Sequence, residues 1–63
     1  MESHAVIKRL LSEGWVRTGG KGSHQKFRHS EMQIIVVVPH PRKDLPRGTL
    51  RSIYRQAGWE WNT

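Results

Sequence analysis

Between Ser3 and Glu13 the apolar residues Val6, Ile7, Leu10 and Leu11 recur at i, i+1, i+4 and i+5, with Lys8, Arg9 and Ser12 turned away. This is the stripe of an amphipathic helix. Ser3 stands at the N-cap position and Gly14 just past the last turn, residue types that satisfy the unpaired amides and carbonyls at helix ends. The period then changes. Trp15 to Thr18 reads as a short strand, and Gly19, Gly20, Lys21 and Gly22 as a hairpin turn. Ser23 to His29 alternates as a second strand, with Gln25, Phe27 and His29 on one side and His24, Lys26 and Arg28 on the other. Ser30 and Glu31 predict a tight connection into a β-branched strand from Met32 to Val38, completing a hairpin. Pro39 and Pro41 end that strand, and His40 to Gly48 is a loop carrying Arg42, Lys43 and Arg47. A last helix runs from Arg47 or Thr49 to Ala57, its apolar face made by Leu50, Ile53, Tyr54 and Ala57. Gly58 then stops the helix, and Trp59 is placed to pack back on Tyr54, whereas Trp61 has no assigned neighbour.

The order αβββα predicts an α+β protein: a three-stranded antiparallel sheet with two helices on one face and the other face open. With 63 residues, 35% of them hydrophobic, residues 1–63 make one domain, of which 59–63 form a short C-terminal tail. A core of that size covers one sheet face but leaves no deep pocket, which excludes the large cofactor-binding folds. Cysteine is absent, which excludes disulfides, Cys-based zinc sites and thiol nucleophiles and suits a reducing cytoplasm. The longest apolar run, Ile34 to Val38, is far short of a membrane span, and the N-terminus lacks a signal pattern. A soluble, cytosolic protein is expected. Eleven Lys and Arg against five Asp and Glu leave a net charge of +6, which makes a polyanion the leading partner.

His24 carries the most chemical information. Strand alternation sets it on the same open face as Lys26 and Arg28 while Phe27 points to the core. A neutral imidazole there is suited to take a proton from a ribose 2′-hydroxyl while the cations hold the phosphate, which points to RNA cleavage without a metal. The same residues also read as a basic surface strand with no chemistry. His29, five positions on, falls on the opposite face and cannot pair with His24; it is expected to be a packed or edge residue. His40 sits in a loop that reaches the open face or merely ends the strand, and His4 has no partner. No metal-ligand spacing appears among these histidines and the scattered carboxylates, so neither metal nor cofactor is expected. The glycine turn fits no nucleotide-binding fingerprint, but Lys21 and Ser23 stand beside His24 and make it a candidate substrate-contacting loop. Arg42, Lys43 and Arg47 surround a helix N-terminus suited to backbone phosphate, and Arg47, Arg51 and Arg55 form a stripe at i, i+4 and i+8 that reads equally well as a solvated face.

The segments GSHQKF (Gly22 to Phe27) and VVPHPRKDLPRGTLRSIYRQAG (Val37 to Gly58), behind an amphipathic helix that leads into Gly14 and Trp15, resemble the HicA family of toxin mRNA interferases. The resemblance runs over nearly the whole chain and preserves the order of four separate motifs. It implies a fold similar to the double-stranded RNA-binding domain, an endoribonuclease acting on mRNA, and neutralisation by a HicB-type antitoxin, through which alone DNA would be reached. It places the catalytic histidine at His24 and sets Gly22 and Ser23 in the same motif. RNA contacts by Lys21, Lys26, Arg28, Arg42, Lys43 and Arg47 are read from charge and position. Trp59 to Thr63 depart from the family's short aliphatic ending. Two other readings compete: a non-catalytic RNA-binding module of the same architecture, in which His24 is dispensable, and an interaction protein whose basic surface docks an acidic partner.

Overall fold

Val6 and Leu10 lie one turn apart on α1 (Ser3–Ser12) and are fully buried, while Ile7 beside them is half covered. On α2 (Arg47–Ala57) Ile53 and Ala57 are buried in the same way, flanked by the half-buried Leu50 and Tyr54. Both stripes close on an antiparallel sheet of order β1-β2-β3, made of Val16–Gly19, His24–Arg28 and Val36–Pro39. Phe27, Val36 and Val38 supply the sheet's half of the core, and Trp15, Leu45 and Trp59 close its rim. The computed structural model describes residues 1–61; Asn62 and Thr63 of the expected tail lie outside them. Its Cα envelope of 28 × 27 × 17 Å is two layers thick, one of helices and one of strands. The sheet face away from the helices is therefore open.

The third strand is shorter than the β-branched run predicts. Pairing begins at Phe27 with Val36 rather than at Met32. His29 explains the delay: its Nε2 donates to the Glu13 carbonyl at 2.9 Å, its Nδ1 accepts the Glu31 amide at 3.1 Å, and its ring stands edge-on to buried Trp15. Those bonds pull the chain out of the ladder, and the Met32 amide closes a turn on the His29 carbonyl. Instead of the tight connection expected at Ser30 and Glu31, residues 29–35 form a loop that leaves Met32, Ile34 and Ile35 exposed.

Ser3 is likewise not a cap. Glu2 occupies the N-cap position without a side-chain bond, and Ser3 is 1% exposed. Its hydroxyl accepts the Arg42 amide at 2.9 Å and lies 2.8 Å from His40 Nδ1 and 3.2 Å from the Arg42 carbonyl. A serine that would have satisfied its own helix instead joins α1 to the loop after β3. At the other end of the chain Gly58 adopts φ 76°, the Trp59 amide donates to the Tyr54 carbonyl at 2.8 Å, and the two rings meet edge to face. Trp59 then crosses to α1, where its Nε1 donates to Glu13 at 2.6 Å under the Arg9 guanidinium, 4.1 Å above the ring. Trp61, without an assigned neighbour in the sequence pattern, stands edge-on to Tyr54.

Candidate active site

Phe27 decides which way β2 faces. Its burial fixes the parity of the strand, so His24, Lys26 and Arg28 all turn to the open side, and all three are exposed. Lys26 and His24 stand opposite Val37 and Pro39 of β3, and Arg28 stands opposite Val16 of β1. The His24 ring makes no hydrogen bond to any described residue, which leaves both nitrogens free for a ligand. Charge is free here too. Among the described residues the ion pairs are Arg9 with Glu13 and the Met1 amine with Asp44, so neither Lys26 nor Arg28 is neutralised.

The backbone beneath His24 is fixed on three sides. Its amide donates to the Lys21 carbonyl at 3.1 Å, the preceding Ser23 carbonyl accepts the His40 amide, and Pro39 is its partner on β3. The fourth constraint is Gly20, which comes so close that a Cβ there would lie 2.1 Å from the His24 carbonyl oxygen, at a φ of 138°. The turn is less a flexible connection than a wedge against the strand carrying the histidine. Sequence reading marked the glycine cluster but not this member of it, because the close approach depends on a bulge: Arg17 faces Phe27 and Gly19 faces Lys26, which leaves Thr18 over.

The other candidate residues divide between the two sides of the slab. Lys21, Gly22 and Ser23 form the turn at the His24 end of the sheet. Arg42 and Lys43 follow β3 at that same end but border the start of α1 beside Glu2, Ser3 and His4. Arg47 opens α2, and it continues with Arg51 and Arg55 along the exposed side of the helix layer. The structure thus brings Lys26 and Arg28 onto the histidine's face, sets Lys21 to Ser23 at its edge, and carries the remaining cations to the helix side. His40, undecided in sequence, goes there as well. Held by Ser3, it lines a cleft of about 240 Å³ with Ile7, Leu11, Arg17, Gln25 and Phe27.

One carboxyl is shifted. The Trp59 Nε1 bond holds Glu13 below its ordinary value of 4.5, against a smaller opposing effect of burial, and Arg9 helps. It lies at the α1–tail junction and belongs to the scaffold. Among the described residues no three His, Cys, Asp or Glu side chains gather as metal ligands, and no helix is long and apolar enough to cross a membrane.

Two helices on one face of a three-stranded antiparallel sheet define an α+β class met in toxin–antitoxin pairs. A chain of the "Toxin-Antitoxin complex from Streptococcus pneumoniae" superposes with a TM-score of 0.75 at 34% identity, over 92% of this chain and 97% of that one. A chain of the "HicA3 and HicB3 toxin-antitoxin complex" does so with a TM-score of 0.71 at 36% identity, over 98% and 100%. The family model for the HicA toxin of bacterial toxin-antitoxin matches residues 3–59, and the chain belongs to that family. No curated protein matches it.

Proposed function

We propose that this HicA toxin is a metal-independent endoribonuclease that cleaves mRNA in the cytoplasm and is neutralised by a HicB-type antitoxin. The observation that carries the reading is His24, exposed and unbonded on a backbone fixed from four directions, on one strand face with two cations that have no carboxylate partner among the described residues. RNA lies across the open sheet face. The ribose 2′-oxygen attacks the adjacent phosphorus as its proton is removed, the bond to the 5′-oxygen breaks, and that oxygen leaves protonated. The products are a 2′,3′-cyclic phosphate and a 5′-hydroxyl. His24 serves as general base or acid, and Lys26 and Arg28 stabilise the negative charge that builds on the phosphate. The toxin–antitoxin pairing of both solved relatives supports an antitoxin as the partner protein.

The test is end-labelled single-stranded RNA incubated in EDTA with the wild type and with His24→Ala, with product ends mapped and folding checked by circular dichroism. Cleavage by the wild type and a loss of at least roughly 100-fold in the variant is expected, the scale of acid–base catalysis. Products bearing 5′-phosphates, or activity only with a divalent ion, would overturn the mechanism. Binding by both proteins without cleavage would instead favour a non-catalytic RNA-binding module, which would use the cations of the helix side.

A further inference from the structure

Resting on the ribonuclease reading, we propose that the groove at the other end of the open face from His24 is a subsite for one unstacked nucleobase of the RNA, with Gln33 and Arg28 reading its edge. The groove exists because β3 starts late. Val16 and Arg28 are paired on the open face, the same register sets Ile35 across from Arg28, and the loop carrying Met32, Gln33 and Ile34 arches over them. The groove is open to solvent along one side and measures about 650 Å³, a volume in the range of sites that take small organic ligands.

Three features fit a base. First, half of the lining is apolar side chains held out in water: Val16 is 63% exposed, and Met32, Ile34 and Ile35 between 43% and 44%. An exposed apolar cluster of this kind marks a contact surface. Secondly, the polar groups in it suit base recognition. Gln33 offers a donor and an acceptor side by side, matching the paired groups on a base edge, and Arg28 offers a planar cation that stacks on a base or donates to it. Among the described residues no carboxylate lines the groove, so none of its lining side chains repels a phosphate chain. Thirdly, the groove is continuous with the catalytic face through Arg28. His24 and Arg28 are four residues apart on one strand, about 13 Å at some 3.3 Å per residue. The base held there belongs to a nucleotide near the scissile bond and not to the one that is cut. A concave, amide-bearing groove that shares a cation with the histidine's face suits a base better than a flat protein contact.

The test is cleavage of a sequence-randomised single-stranded RNA pool by the wild type and by Gln33→Ala, with sequencing of the cut ends. The wild type is expected to show a base preference at a fixed offset from the cut. Gln33→Ala should flatten it at that offset and lower kcat/KM on the preferred sequence roughly tenfold, chiefly through KM. A merely structural role for Gln33 would slow cleavage of all sequences equally and leave the preference intact, and that result overturns the proposal. Unchanged preference with weakened antitoxin binding would overturn it also, and would assign the groove to the partner protein. No cleavage by the wild type overturns the ribonuclease reading, and the subsite falls with it.

Discussion

Gly19 and Gly20 are neighbours in one turn, yet a methyl group would meet open space at the first and the His24 carbonyl at the second. Gly19→Ala should change stability by no more than about 0.5 kcal/mol, the usual range for a surface position without special geometry. Gly20→Ala cannot keep the native turn. It is expected to lower the melting temperature and to reduce RNA cleavage by more than the population of folded protein accounts for, because the displaced backbone is that of His24. Circular dichroism melting beside the cleavage assay separates the two effects. The order of importance was not legible in a run of glycines, since it depends on where Thr18 bulges. Phe27 is the opposite case. Alternation alone put it in the core, where it is 1% exposed, and Phe27→Ala should cost roughly 3 to 5 kcal/mol. That equals most of the stability of a small domain, so the variant should lack a cooperative unfolding transition.

At the scale of elements, both helices and the order of the strands were written in the spacing of apolar residues, because burial on one side imposes a period. What spacing does not contain is where a strand stops, which here was decided by a side chain from outside the ladder. His29 bonds to Glu13 at the end of α1, and that contact shortened β3 and opened the groove beside it. Ser3 shows the same limit: capping is a local rule, and a partner 39 residues away overrode it. Ser3→Ala should leave the Arg42 amide and His40 Nδ1 without this partner and destabilise by about 1 to 3 kcal/mol, read as a lower urea midpoint. The junction of α1 with the tail responds to pH. Because Trp59 holds the folded-state Glu13 below 4.5, the stabilisation is fully present above that value and is lost as the pH falls towards and through the depressed one. Glu13→Gln should therefore show a smaller loss of stability on acidification than the wild type, measured as unfolding midpoints through that range.

Over the whole molecule, the two sides of the slab carry different parts of one excess charge. Lys26 and Arg28 share the strand face with His24, while Arg42, Lys43, Arg47, Arg51 and Arg55 belong to the helix side. Composition showed the +6 and could not show this division, which depends on which face the helices cover. The position of His24 was legible because a single buried aromatic fixed its strand's parity. The groove was not, since Met32 to Ile35 look in sequence like more strand. One feature at the chain's later end also bears on how the protein comes into being. The strands are joined in sequence and can pair as they are made, but Glu13 and Arg9 receive Trp59 only after 46 and 50 further residues have been added. At about 5 to 20 residues per second, that is an interval of roughly 2 to 10 seconds. Throughout it, Arg9 and Glu13 lack the Trp59 indole, and the part of the core's rim that it closes stands open. A nascent chain that has not yet reached Trp59 is thus an incomplete scaffold, with the last turn of its first helix still waiting for a side chain from the far end of the fold.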